Sequence, residues 1–328
     1  MTSLQKTPQE VRKQASELER KCYDSVSSKK DYLAQCRLVA ETLKEQASIA
    51  DDDDDAASEE DLNSASPETA TTIGNYTDAC HHQDGLFSFV YKARAPDPSQ
   101  VQVQDMITGK LVALKVTTPS LTVAPHNSER EARILHACQH RNIIELLDTF
   151  WQAGGRFVLV FPFMHYEFGD LLSKGRLTAR QIQSHLRDLF AALGYLHDAG
   201  VIHRDVKPSN ILLKSPTGPA YLADFGISWS PHDKASENSQ EKITDVGTTC
   251  YRPPELLFGD TSYGCSLDLW AAGCVVAEAL SSTHKSLFDA GDLGSELALI
   301  QSIFKTLGTP TVQTWPVNSI FTQVIVHD

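Results

Sequence analysis

Residues 203–210 read His203-Arg204-Asp205-Val206-Lys207-Pro208-Ser209-Asn210, and the apolar run Ile211-Leu212-Leu213 follows directly. Ala223-Asp224-Phe225-Gly226 comes a short distance later. An isolated Asp-Phe-Gly is a common tripeptide and carries little. Here a carboxylate, a lysine and an amide fall within one short block, and an apolar stretch links them to a second carboxylate. That constellation sets the reading of the rest of the chain.

The 328 residues leave room for about two structural units. A hydrophobic content of 41% supplies sizeable cores. The longest apolar run, Leu269 to Leu280, contains Glu278 and is too short to span a bilayer. Met1-Thr2-Ser3 turns quickly into charged sequence, with no secretory signal. Seven cysteines lie scattered without metal-ligand spacing, which predicts a reduced, intracellular setting, nucleus and/or cytoplasm. The net charge of −13 is uneven: Asp51 to Asp55 with Glu59, Glu60 and Asp61 form an acidic block. Such a block repels itself and reads as a solvated linker. Nothing is basic enough to predict a nucleic-acid partner, and nothing predicts a membrane one.

Apolar residues recur at helical steps in Val11, Ala15, Leu18 and Cys22, and again in Tyr32, Cys36, Val39 and Leu43. Residues 1–50 therefore read as a helical extension and 51–75 as an acidic disordered linker. Phe87 to Arg94 and Leu111 to Val116 are strand-like, joined by a long connection, Ala95 to Lys110, that holds Pro96, Pro98 and Gly109. Ser128 to Ala137 has helical spacing, Phe157 to Phe161 reads as a buried strand, and helical signals dominate from Thr178.

The 203–210 block resembles the catalytic loop of eukaryotic protein kinases, and Asp224-Phe225-Gly226 resembles their magnesium-binding turn. The resemblance implies an α+β, two-lobed kinase fold: a small β-rich N-lobe and hinge over 76–164 and a helical C-lobe over 165–328. It also implies ATP and Mg2+ as cofactors. In that reading Asp205 orients the acceptor hydroxyl and takes its proton, and Lys207 stabilises the migrating phosphoryl group. Asn210 and Asp224 hold the metal through hard oxygen ligands. Lys207 points to serine/threonine rather than tyrosine kinases. Val112-Ala113-Leu114-Lys115 matches the strand lysine on the nucleotide phosphates, and Glu131 stands where its partner carboxylate belongs, with Glu129 as the alternative. Thr248 joins the catalytic set. The nucleotide set is Gly85, Val90, Ala113, Lys115, Phe161, Pro162, Met164 and Leu212. Phe161 takes the gatekeeper place. Pro162 offers a carbonyl, and Met164 an N–H, to adenine.

The nucleotide-covering loop departs from the pattern. Glycines are expected at 83, 85 and 88, and the chain has Gln83, Gly85 and Ser88, with Phe87 in the usual aromatic place. Where positive φ is required, a residue other than glycine costs about 1–2 kcal/mol. If positions 83 and 88 require it, nucleotide affinity falls by roughly tenfold or more.

Tyr251-Arg252-Pro253-Pro254-Glu255-Leu256-Leu257 resembles a motif of the CMGC kinases, with Pro253 for alanine. Asp268-Leu269-Trp270, Gly273-Cys274, Leu307-Gly308-Thr309-Pro310 and Trp315-Pro316 match the cyclin-dependent branch. The resemblance covers residues 76–316. Pro125 to Glu131 aligns with the cyclin-binding helix, but Glu129 stands where an apolar residue would bury against cyclin. Leu86 and Phe87 replace an inhibitory threonine and tyrosine. Ile243 aligns with the activating threonine, with Thr244 adjacent, so Arg204 is expected to pair with Asp245 or another local carboxylate.

A cyclin-dependent-like domain lacking these features is similar to the fungal single-subunit CDK-activating kinases. That implies a cyclin-dependent kinase as protein substrate and no cyclin subunit. Gly247 is expected to relax the backbone that selects proline after the acceptor residue. Two alternatives remain: a cyclin-requiring kinase, or an inactive kinase-like scaffold. The scaffold reading comes from a C-lobe expected to lack its last helices and to leave Glu255 without its arginine, a loss worth about 3–5 kcal/mol where the pair is buried.

Overall fold

The alternation in Leu111–Thr117 decides how the upper lobe is built. In the computed structural model, which describes residues 71–96, 110–291 and 294–311, this strand turns Val112, Leu114 and Val116 into one core. Ala113 and Lys115 fall on the opposite face, as a period of two requires. The described residues belong to one unit, Glu68–Asp328. The helical reading of 1–50, the acidic block, residues 97–109 and Trp315-Pro316 lie outside them.

Six strands form an antiparallel sheet in the order β1-β2-β3-β4-β6-β5. They are β1 (Thr71–Ile73), β2 (Tyr76–Asp84), β3 (Ser88–Arg94), β4 (Leu111–Thr117), β5 (Asp148–Gln152) and β6 (Arg156–Pro162). β6 is apolar on both faces. Val158 and Val160 join the sheet's own core, while Phe157, Leu159 and Phe161 join the core that continues into the lower lobe. A continuous apolar run rather than an alternating one is the sequence signature of such a strand.

The stretch read as a disordered linker includes β1, where Thr71 and Ile73 pair with Ala79 and Tyr76. β2 escapes the periodicity because only Tyr76 and Ala79 of its nine residues are buried, and two register shifts interrupt its pairing with β3.

Helix α1 (Ser128–Ala137) begins where its spacing predicts, capped by Asn127, whose side chain accepts from the Arg130 N–H at 2.8 Å. The lower lobe follows through β7 (Tyr166–Glu167), α2 (Phe168–Ser173), α3 (Ala179–Asp198), β8 (Ile211–Leu213) and β9 (Ala220–Leu222). α4 (Pro254–Leu257), α5 (Ser266–Leu280) and α6 (Glu296–Leu307) complete it. Thr178 and Gln181 cap α3 reciprocally. Leu189, Leu193 and Leu196 of α3 share a core with the small Ala271 and Ala272 of α5, which allow close approach. The loop 203–210 runs between α3 and β8, so this core is the floor of the site. No helix among the described residues is long and apolar enough to cross a membrane.

Glu255, on α4, has no cationic partner among the described residues. The Ser266 side chain hydrogen-bonds it, and burial pushes its carboxyl above the usual range. A carboxyl raised in the folded state binds its proton more tightly there than in the unfolded chain. Its contribution is therefore complete below the unfolded value of about 4.3 and is lost as pH rises through the folded value. Glu255→Gln is expected to raise the melting temperature at neutral pH, with the gain over wild type vanishing at acidic pH. A gain that persists or grows in acid would contradict this account of the charge.

Candidate active site

The lobes meet around the Lys115 ammonium. Its Nζ lies 2.8 Å from both carboxylate oxygens of Glu131 and 2.7 Å from Oδ1 of Asp224. Burial opposes the lysine's charge, but Asp224 and Glu131 more than offset it and hold its pKa above the ordinary value. Lys115 in turn drives the Asp224 carboxyl well below the usual range against its desolvation. Glu131 is raised, because burial outweighs the attraction of Lys115. Glu129, the alternative partner, points away: it is exposed and lies 4.0 Å from Arg133.

The turn 224–226 is held to α1 as well as to the lysine. Asn127 N–H donates to the Gly226 carbonyl at 2.9 Å. A Cβ on Gly226 would lie 3.3–3.5 Å from Asp224, Glu131 and Lys115, so glycine allows this close approach. Asp224 sits at φ 64° and Arg204 at φ 72°, conformations that cost residues other than glycine about 1–2 kcal/mol. Lys115 fixes the first. The second is fixed by Asp268 of α5, a fully buried carboxylate that accepts from His203 N–H and Arg204 N–H, each at 2.9 Å, and pairs with His197 at 2.9 Å. The His203 ring packs edge-on against Phe225, which is fully buried.

The Asp205 carboxylate is surrounded by donors. Oδ1 accepts from Thr248 Oγ1 at 2.8 Å and from its N–H at 3.0 Å. Oδ2 lies 2.9 Å from Lys207 Nζ and accepts from Asn210 Nδ2 at 3.0 Å. Lys207 also donates to Thr248 Oγ1 at 2.9 Å, so all three side chains and Thr248 form one network. Asn210 uses its Nδ2 within the loop, also donating to the Asp205 carbonyl at 2.8 Å, which leaves Oδ1 as an oxygen donor for a ligand. Asp224 engages Lys115 with one oxygen only, and its side chain is 49% exposed. Asn210 and Asp224 line the same cleft, and their free oxygens suit a hard divalent cation.

The cleft, about 1040 Å³, is lined by all the residues expected to hold the nucleotide: Gly85, Val90, Ala113, Lys115, Phe161, Pro162, Met164 and Leu212. In the hinge, Phe163 N–H turns back to the Leu111 carbonyl at 3.3 Å, while the Met164 N–H has no partner among the described residues. Sequence reading missed His82 and His126. His82 packs edge-on to Phe163, His126 packs against Phe87, and burial lowers the pKa of both. A lone histidine outside any motif gives no signal of such a role.

Two expectations need correction. Gln83 and Ser88 do not occupy positive φ: among described residues other than glycine, only Asp78, Arg204, Asp224 and His284 do. They sit at the facing ends of β2 and β3, with Gln83 opposite Val90, so the strain feared for the missing glycines does not arise. Next, Gly247 is not relaxed. It stands at φ 74°, its carbonyl accepts from Arg252 Nε at 3.0 Å, and a Cβ there would lie 2.6 Å from the Arg204 carbonyl. Arg204 does meet another local carboxylate, as expected: it pairs with Glu237 at 3.1 Å rather than with Asp245. Asp245 is taken by Arg252 at 2.7 Å.

The family model described as protein kinase domain matches residues 98–324, beginning beyond β3. Serine/threonine-protein kinase csk1 of Schizosaccharomyces pombe is 35% identical over 249 residues, covering 75% of this chain and 76% of that protein. Cyclin-dependent kinase 7 of Xenopus laevis is 36% identical over 242 residues, 71% of this chain and 62% of that protein. The solved yeast RNA Pol II CTD kinase CTDK-1 complex contains a similar chain, with a TM-score of 0.62 at 26% identity, covering 81% of this chain and 80% of that one.

Because positions 83 and 88 adopt strand angles, restoring glycine is expected to gain nothing. Gln83→Gly with Ser88→Gly should leave the KM for ATP within about threefold of wild type and lower stability by about 0.5–1 kcal/mol per site. Steady-state kinetics and a thermal melt check both. A tenfold tighter KM would show that the side chains themselves obstruct the nucleotide.

Proposed function

The chain belongs to the protein kinase family and is a protein serine/threonine kinase, and from that premise we propose that its substrate is the activation-loop threonine of a cyclin-dependent kinase. One observation carries this reading. The Lys115–Glu131 pair is closed in a single chain, with Glu129 turned to solvent on the helix that a cyclin would otherwise position. A kinase assembled without a partner is suited to act first on others.

In the transfer, the bond between the γ-phosphorus and its bridging oxygen breaks as a bond to the acceptor hydroxyl oxygen forms. Asp205 orients that hydroxyl and receives its proton. Thr248 and Lys207 hold the carboxylate in place from both oxygens. Lys207 faces the migrating charge, and Lys115, fixed by Glu131, binds the phosphates of ATP. Asn210 and Asp224 would hold Mg2+, which supplies charge neutralisation when bound.

A second reading is favoured by Gly247. With its carbonyl committed to Arg252, that position offers no acceptor to an N–H following the acceptor residue, and proline has no such N–H. The similar solved chain belongs to a CTD kinase complex, which brings a partner-requiring enzyme into view. The purified single chain with Mg2+ and ATP is expected to phosphorylate a catalytically inactive cyclin-dependent kinase on its activation-loop threonine. Asp205→Asn should lower the rate by about 100-fold or more. Silence that is relieved by an added cyclin points to the partner-requiring enzyme. A preference above about tenfold for peptides with proline rather than alanine after the acceptor, about 1.4 kcal/mol, supports the second reading.

A further inference from the structure

Two arginines from separate parts of the fold converge on one carboxylate. Arg204 comes from the catalytic loop and Arg130 from α1, and both are almost completely buried. The Glu237 carboxylate lies 3.1 Å from Arg204 Nη1, with a second contact at 3.4 Å to Nη2, and 3.8 Å from Arg130 Nη1. Thirty-three residues separate Glu237 from Arg204 in sequence, so only the folded activation segment can bring it there.

The segment is seated by further contacts of the same kind. Trp229 Nε1 donates to the Glu237 carbonyl at 2.9 Å, which fixes the backbone beneath the carboxylate. Arg130 Nη1 donates to the Ala235 carbonyl at 3.2 Å, and Arg133, one turn along α1, pairs with Asp233 at 2.7 Å. Lys242 is buried between the rings of Trp229 and Tyr263, at 4.9 and 5.1 Å, and donates to the Tyr263 carbonyl at 2.8 Å. Arg130, Arg204 and Lys242 thus bring three positive charges into the interior beside Glu237. Burial raises the Glu237 carboxyl and the arginines lower it; the arginines win, so the carboxylate is the stable form.

In kinases switched by phosphorylation, a phosphate on the activation segment recruits arginines and orders that segment. We propose that Glu237 is a positioning residue whose carboxylate does this permanently, tying α1 to the catalytic loop so that the chain needs no activating phosphate. The inference rests on the phosphotransfer reading above. α1 carries Glu131 beside Arg130, and the catalytic loop carries Asp205 beside Arg204, so one carboxylate sets the spacing of both working groups. Thr244 is the candidate for a regulatory phosphate that the sequence offers beside Ile243. Arg252, next to it, already pairs with Asp245 and with Glu296 at 2.8 Å.

The test uses the full chain made free of phosphate, verified by intact mass. Turnover is expected without prior phosphorylation, unchanged by phosphatase and unchanged in Thr244→Ala. Glu237→Gln keeps shape but loses charge, and its kcat should fall by about 100-fold, the scale of a small misplacement of catalytic groups. The same variant should still bind ATP with a KM within about threefold. Glu237→Asp should recover at least about a tenth of wild-type kcat, which a purely steric role would not predict. Wild-type turnover of Glu237→Gln with an intact melt would overturn the proposal. If that variant fails to fold, the phosphate-free wild type decides. Activity appearing only after an upstream kinase acts overturns the inference but keeps the kinase reading. Inactivity in both states overturns both.

Discussion

Everything in the site depends on one ammonium shared by two carboxylates. Lys115 is placed by the alternation of β4, Glu131 by the register of α1, and Asp224 by a turn in the lower lobe, so the contact reports three separate elements at once. The lysine also leaves the cluster one negative charge in excess. That surplus sits on Asp224, which lines the cleft and engages Lys115 through one oxygen only. A site built this way is electrostatically incomplete, and a divalent cation among phosphates is the chemistry that completes it.

The lower lobe solves a different problem, which is how to hold a backbone in conformations it resists. Arg204 and Asp224 are both left-handed, and strain of this kind persists only where the surroundings over-determine it. Asp268 does so for the catalytic loop. It comes from a largely apolar helix, and the buried charge is acceptable because two backbone N–H groups and His197 converge on it. Losing that carboxylate would leave two buried donors without partners, and for hydrogen bonds to a charged group the loss is worth about 1.5–3 kcal/mol each. The floor of the site is therefore stable only as a whole.

Much of this was legible in the sequence. The block 203–210, the lysine at 115 and the glutamate at 131 are residue types whose chemistry and spacing constrain each other, and the structure brings them together. The helix at 128–137 and the strand at 111–117 announced themselves by period and composition. β1, β2 and β5 did not, because half-exposed strands keep no strict alternation, and the first two carry register shifts as well. Gln83, Ser88 and Gly247 show a different limit. A missing or present glycine raises the question of positive φ, but the answer belongs to the strand ends and hydrogen bonds that meet there. Glu237 was invisible for a simpler reason: it lies in a polar stretch whose role depends wholly on how the segment folds back.

α1 is where these strands of evidence join. Its adjacent residues Arg130 and Glu131 engage two ion clusters, one on the activation segment and one on the strand lysine that also holds Asp224. A helix anchored at one point can pivot about it, whereas two clusters, with Asn127 N–H on the Gly226 carbonyl as a third tie, leave little rotation. In a kinase whose helix is held from outside, the outward face must be apolar. Here that face carries Glu129 and Arg133, paired with each other at 4.0 Å, and Arg133 reaches on to Asp233. Of the charges that make the face unattractive to an apolar partner, Arg133 also binds the chain's own activation segment. The independence from a partner and from a phosphate that we propose would thus share one structural origin.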